Sequence, residues 1–123
     1  MVGSLEYHRR IVELNTAYKP QLIVMDGLDV FTDGGPMTGT LKHGNVFIGG
    51  TDRVAVDAVG VAILKELGSN DNIMGKKIFE QDQIARAIEL GLGISSPDQI
   101  EFITADQTSA EYAAKIKGIL AQG

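Results

Sequence analysis

Two short apolar segments place the strongest constraint on the fold of this chain. Residues 21–25 (QLIVM) and 45–50 (NVFIGG) are rich in strand-favouring residues, and neither alternates cleanly between polar and apolar positions. Strands of this type are usually buried on both faces, as in a parallel or mixed sheet covered by helices. We therefore expect the two strands to be neighbours in one sheet. The first strand is expected to end at a turn formed by Asp26 and Gly27.

A long helix is predicted directly after the second strand. Thr51 or Asp52 can cap its N-terminus, and Gly68 can end it. The helix is apolar on nearly every side, which favours a central packing helix and places Asp57 among buried residues. A buried carboxylate must be paired, hydrogen-bonded or protonated. An ion pair with Arg53, one turn earlier, and a role in a binding site are both open interpretations of Asp57.

The rest of the chain predicts three further helices and one further strand. Thr108 and Glu111 match a capping box at the start of the last helix. Strands separated by helices favour an α/β fold, with a three- or four-stranded parallel or mixed sheet and helices packed on it. Because three visible strands are few for such a sheet, we expect it to belong to a larger fold. The predicted helices are residues 4–18, 80–90 and 109–120, and the predicted strand is residues 100–104.

A glycine-rich polar stretch, residues 32–45 (TDGGPMTGTLKHGN), separates the two apolar segments. If the two strands are parallel, this stretch and the helix start lie at one edge of the sheet, where open α/β sheets bind ligands. Glycine turns and a helix N-terminus can hold an anion through backbone N–H groups, and nearby carboxylates suit a divalent cation. A surface loop whose glycines only make turns is the alternative interpretation.

These features together predict one candidate binding site. Asp26 and Asp52 are the expected metal ligands, and Asp57 would support the loop from behind. No catalytic set can be named, because His43 stands alone in the polar stretch. The expected ligand-binding residues are Asp26, Gly27, Gly34, Gly35, Pro36, Thr38, Gly39, Thr40, Thr51, Asp52 and Asp57.

Composition argues against several classes of protein. The net charge of -5 disfavours nucleic-acid binding, since an acidic chain repels phosphates. The chain has no cysteine, so it cannot build a disulfide or an iron–sulfur cluster by itself. Its longest apolar run, residues 54–64, is interrupted by Asp57 and is too short to span a bilayer. We expect a soluble, cytoplasmic protein.

Three motifs carry a resemblance to a known family. They are Asp26-Gly27 after the first strand, residues 35–39 (GPMTG), and residues 51–57 (TDRVAVD) at the helix start. In this order they resemble a prokaryotic domain of unknown function, DUF362, from about Arg9 to about Ala105. That family has no settled activity. Its members are usually longer, and many carry a ferredoxin-type iron–sulfur domain.

The resemblance implies that residues 1–123 form a single domain, equivalent to the C-terminal half of family members and cut from a longer, redox-associated protein. It also implies two partners, namely the missing N-terminal half and a ferredoxin-type domain. The expected function is binding of a small anion, alone or with a divalent cation as cofactor. The alternative is an interaction or oligomerisation module without a ligand. We expect a homo-oligomer, because a part of a larger fold exposes apolar surface or a sheet edge.

Overall fold

The computed structural model describes residues 4–17, 19–33 and 40–123, with side-chain positions for residues 9–17, 19–29, 41–71 and 73–123. Both strands of the described residues lie in the first half of the chain, one directly after the other between two helices. Short 3-10 turns cover Asn15–Ala17, Ile78–Glu80 and Pro97–Gln99. The elements are α1 (Ser4–Leu14), β1 (Ile23–Asp33), β2 (Thr40–Gly50), α2 (Arg53–Leu67), α3 (Asp71–Met74), α4 (Asp82–Glu89) and α5 (Gln107–Gln122).

The two strands form an antiparallel hairpin. β1 pairs with β2 from Ile23 opposite Gly50 to Asp33 opposite Thr40. The mixed helix-and-strand fold and the pairing of the two apolar segments are therefore confirmed, whereas parallel pairing of these strands is wrong. A third or fourth strand is not found in the part of the chain that the structure describes.

The hairpin strands are longer than the sequence predicts. Asp26 and Gly27 lie inside β1 rather than at its end, and most of the glycine-rich stretch belongs to strands. The reason is that an antiparallel partner supplies ladder hydrogen bonds to polar and glycine residues that would not form a strand alone. Gly27 has a steric role there, because a Cβ at this position would lie 2.7 Å from Val46 Cγ2. The prediction of a turn at Asp26 and Gly27 is wrong.

Helix α2 has the predicted bounds and lies lengthwise on the inner face of the hairpin. Asp52 caps its start, and Gly68 ends it with a φ of 83°. The first half of α2 is close to the base of the hairpin, since a Cβ on Gly60 would come within 2.9 Å of Met25 Sδ. Near its other end, the Lys42 ammonium donates a hydrogen bond to the Leu67 carbonyl.

The core forms where α2 meets the hairpin, α4 and α5. Ala58 and Ala62 of α2 are fully buried, and Val46 and Ile48 of β2 pack against the core from the hairpin. Helix α1 packs on α4 at the side of this core. The buried core residues are Val54, Ala58, Val59, Ala62, Ile63, Ile78, Ile84, Ile100, Ile116 and Leu120.

Two predictions in the C-terminal part need correction. Residues 101–104 form neither helix nor strand, although Ile100 lies in the core. Helix α5 begins earlier than predicted, because the Asp106 carboxylate accepts a hydrogen bond from the Ser109 N–H at 2.7 Å. This bond lowers the pKa of the Asp106 carboxyl below its ordinary value. The N-cap is therefore Asp106 rather than Thr108.

No helix within the described ranges combines the length and the apolar character needed to cross a lipid bilayer.

Candidate functional site

The hairpin separates the two halves of the site that the sequence predicts. Thr40 begins β2 at the distal end of the hairpin, and Gly50 ends it beside Thr51. Ten residues of strand at 3.3 Å each place these ends about 30 Å apart. One small ligand therefore cannot contact both Thr40 and Thr51. The sequence argument failed here because it assumed parallel strands, whose carboxyl ends would open on one edge.

Five residues of the expected site lie outside the described residues, namely Gly34, Gly35, Pro36, Thr38 and Gly39. Thr40 is described only through its backbone, which pairs with Asp33.

Asp26 lies in the hairpin, away from the helix start. It is exposed, and its Oδ1 accepts a hydrogen bond from the Leu28 N–H at 2.8 Å. Asp52, the other expected metal ligand, makes its own contacts at the start of α2. Within the described residues there is no group of three or more histidine, cysteine, aspartate or glutamate side chains arranged to hold a metal ion.

Asp52 joins the start of α2 to a distant loop. Its Oδ1 accepts a hydrogen bond from the Ala55 N–H at 2.9 Å, and its Oδ2 accepts one from the Ile94 N–H at 2.9 Å. The loop approaches so closely that a Cβ on Gly93 would lie 2.3 Å from Asp52 Oδ1. Asp52 therefore fixes the loop at residues 91–94 against the helix N-terminus. The sequence analysis did not identify Gly93, because no local pattern links it to Asp52.

A groove of about 680 Å³ lies beside this junction, and we call it the basal groove. Thr51, Asp52 and Gly93 line it together with two basic residues, Lys19 and Arg53. The Arg53 guanidinium also donates a hydrogen bond to the Asn15 carbonyl, which fixes the side chain between α2 and the end of α1. Lys19 makes no ion pair with another described residue. Its ammonium is thus available to a ligand.

Contrary to the prediction from the sequence, Asp57 is not buried among the apolar residues of α2. It is exposed and borders a small crevice of about 90 Å³, which Arg53 of α2 and Gln83 of α4 also line. Asp57 lies ten residues before Leu67, about 15 Å along the helix axis, so it does not lie beneath the distal end of the hairpin.

The surroundings of Asp57 affect its ionisation. Although the residue is exposed, nearby protein atoms remove part of the water around the carboxyl group, and this desolvation raises its pKa above the ordinary value. The folded state then holds its proton to a higher pH than the unfolded state does. The free energy of unfolding accordingly decreases as pH rises from the ordinary pKa of aspartate through the raised pKa of Asp57. Below the ordinary pKa the carboxyl group is protonated in both states, and this decrease is absent.

His43 and Asp29 form a cross-strand pair on the hairpin, with 2.6 Å between His43 Nδ1 and Asp29 Oδ1. Both side chains are exposed. The register of the hairpin brings them together, and this information was missing when His43 was interpreted as a lone residue. Neither residue lines the basal groove or the crevice beside Asp57.

Comparisons with known proteins agree with the motifs. The family model described as "Domain of unknown function (DUF362)" matches residues 2–62, which include the hairpin and the first part of α2. Searches of curated proteins and of solved structures gave no match. Correspondence to the C-terminal half of the family domain stays a prediction. Through residues 2–62, the chain belongs to the DUF362 family, whose description assigns no activity.

Proposed function

We propose that this chain binds a small anionic ligand in the basal groove. The observation that carries the proposal is the pairing of two basic side chains, Lys19 and Arg53, with the start of α2 in one groove. The volume of about 680 Å³ is within the range of small-molecule sites, roughly 300–1,000 Å³. This proposal retains Thr51 and Asp52 from the sequence analysis and leaves out the distal end of the hairpin.

The groove offers several hydrogen-bond donors to an anion. The Lys19 ammonium and the Thr51 hydroxyl are exposed, and the Gly93 N–H donates to no other described residue. The α2 dipole adds a partial positive charge at the same end of the helix. The Asp52 carboxylate opposes an anion, but its two oxygens already accept backbone N–H groups. Asp52 thus supports the groove by fixing its wall. Binding of a divalent cation at Asp26 or Asp52 is the less favoured form of the proposal.

Inorganic phosphate and pyrophosphate are the probes that test this proposal. We expect each to raise the melting temperature of the chain by several degrees at constant ionic strength, since ligand at 100 times its dissociation constant adds about 2.7 kcal/mol. Lys19→Ala should weaken the apparent affinity at least fivefold, because it removes a basic side chain that forms no ion pair with another described residue. Lys117→Ala is the matched control, since Lys117 is an exposed lysine on α5 outside the groove.

Two results would contradict the groove as the binding site. One is a flat titration with both anions on a well-folded sample. The other is an equal loss of affinity in Lys19→Ala and Lys117→Ala, which would indicate a general charge effect rather than a site.

A second candidate function is self-association through the outer face of the hairpin, which we define as Val24, Leu41 and Phe47. These three apolar side chains point away from α2 and are between half and two-thirds exposed. A two-stranded hairpin is marginal by itself, so a cover on its open face would stabilise it. A second copy is the favoured cover, because a symmetric dimer would bring Val24 and Phe47 of both chains together.

Light scattering tests this second candidate. A dimer mass should be found for the unmodified chain, and Phe47→Ser should lower it to the monomer mass. Leu14→Ser is the matched control, since Leu14 of α1 is 72% exposed and Phe47 is 67% exposed. A monomer mass for the unmodified chain at all concentrations would exclude this candidate. The N-terminal half of the family domain and a ferredoxin-type domain remain proposed partners of the whole protein.

A further inference from the structure

Residues 101–105, between the last 3-10 turn and α5, have the properties of a strand without a neighbour, and we call them the edge segment. Burial alternates along it, since Ile100 lies in the core, Glu101 is exposed, Phe102 packs against the core and Ile103 is 90% exposed. A period of two is the side-chain pattern of an extended strand with one covered face. Ile100, which directly precedes the edge segment, has the extended φ and ψ values of -87° and 122°.

The backbone of the edge segment has no hydrogen-bond partner among the described residues. The N–H and C=O groups of Phe102, Ile103 and Thr104 make no hydrogen bond with any described residue. Unpaired N–H and C=O groups along an extended chain form a template for another strand. The core contacts of Ile100 and Phe102 fix this template on the body of the protein. The edge segment is therefore a preformed half of a strand pair.

The charges near the edge segment indicate which strand can pair with it. Asp98 and Glu101 are exposed and form no ion pair with other described residues, and Asp106 follows the segment as the cap of α5. Antiparallel pairing with a second copy would bring both sets of these carboxylates into one short interface. Like charges that face each other across strands are destabilising, and opposite charges are stabilising. The second copy is thus disfavoured, and a basic strand is favoured.

We propose that the edge segment binds an extended, basic segment of another polypeptide by strand addition. The backbone of the partner would pair with Phe102, Ile103 and Thr104, and its lysine or arginine side chains would lie beside Asp98 and Glu101. An apolar residue of the partner would cover Ile103. This mode of binding gains affinity from main-chain hydrogen bonds and specificity from alternate side chains. It is independent of the basal groove.

A synthetic peptide of nine residues, alternating valine and threonine with lysine at both ends and the centre, is the probe for this surface. Its affinity for the full 123-residue chain is measured by fluorescence anisotropy, and its position by the amide NMR shifts of residues 101–105. The same peptide with every second amide methylated is the control for main-chain pairing. A third peptide, with glutamate in place of lysine, is the control for charge.

Two variants of the chain complete the test, Ile103→Pro and Thr104→Pro. Neighbouring N–H groups point to opposite sides of an extended strand, so one of these changes removes a donor that faces the peptide. The two variants together therefore test both edges of the segment. Both residues are exposed and make no hydrogen bond with another described residue, so both variants should fold.

The proposal predicts that the basic peptide binds and shifts the amides of residues 101–105. The methylated and the acidic peptides should each bind at least tenfold more weakly. At least one proline variant should lose tenfold or more in affinity. The proposal is overturned by any of three results: no binding of the basic peptide, equal binding of the methylated peptide, or affinity unchanged in both variants.

Discussion

Asp52→Ala is expected to lower the free energy of unfolding by about 2–4 kcal/mol. Loss of an N-cap side chain costs about 0.5–2 kcal/mol, and an N–H left without its acceptor costs about 1–3 kcal/mol. Asp52 has both roles, because it caps α2 through Ala55 and accepts the N–H of Ile94. Urea denaturation followed by circular dichroism measures this change.

Two control variants separate the roles of Asp52. Asp106→Ala removes an N-cap that accepts a hydrogen bond only from Ser109, so its effect should be the smaller. Asp52→Asn keeps one side-chain oxygen, which can accept a hydrogen bond from either the Ala55 N–H or the Ile94 N–H. The amide NH2 group then faces the other N–H and cannot accept its hydrogen bond. Its effect should therefore lie between the wild type and Asp52→Ala. If Asp52→Ala cost no more than Asp106→Ala, the contact with Ile94 would contribute nothing to stability.

The role of Asp52 changes how the family motif at residues 51–57 is interpreted. The sequence analysis read Asp52 as a ligand of a metal or of a polar group. In the structure its carboxylate holds a loop from 42 residues further along the chain. The motif therefore specifies a structural junction as well as the wall of a groove. The basal groove exists because this junction holds the loop beside Lys19 and Arg53.

Local signals were sufficient to predict α2. Its cap at Asp52 and its stop at Gly68 are set by residues within one turn of each end, so a short window of sequence contains the information. The apolar segments 21–25 and 45–50 were also correctly identified as neighbouring strands. Helix α4 lies within the predicted range 80–90. In each of these elements, the residues that determine the structure are close together in sequence.

The direction of strand pairing was not available from local signals. Residues 28–33 and 40–44 contain aspartate and glycine, which favour turns when considered alone. In the structure they pair with each other, and the pairing decides their conformation. The same limit applies to the site, since Lys19, Asp52 and Gly93 are brought together only by the fold. Residues 101–104 present the opposite case, because their sequence favours a strand and the described residues supply no neighbour for it.

Gly93→Ala is expected to destabilise the protein by about 1–3 kcal/mol, the usual cost of adding a methyl group to a filled site. The new Cβ would lie 2.3 Å from Asp52 Oδ1 and 2.9 Å from its Cγ, so the loop or the carboxylate must move. Either movement weakens the hydrogen bond between Asp52 Oδ2 and the Ile94 N–H. Thermal and urea unfolding both measure this loss.

Gly118→Ala is the matched control for this substitution. Gly118 lies inside α5, is exposed, and has no atom within 4 Å of an added Cβ. Alanine there should raise the stability by about 0.5–1 kcal/mol, because it favours the helix over the unfolded chain. The same chemical change is thus expected to have opposite signs at the two positions. Equal effects would show that the close approach at Gly93 has no energetic consequence.

A double-mutant cycle between Gly93→Ala and Asp52→Ala identifies the cause of the destabilisation. In the Asp52→Ala background the carboxylate is gone, so the added methyl group has room and the Ile94 hydrogen bond is already lost. Gly93→Ala should then cost at least about 1 kcal/mol less than it does in the wild type, a coupling typical of residues in contact. If the two effects add, the methyl group strains the loop by a route that does not involve Asp52, and the proposed junction between α2 and residues 91–94 is wrong.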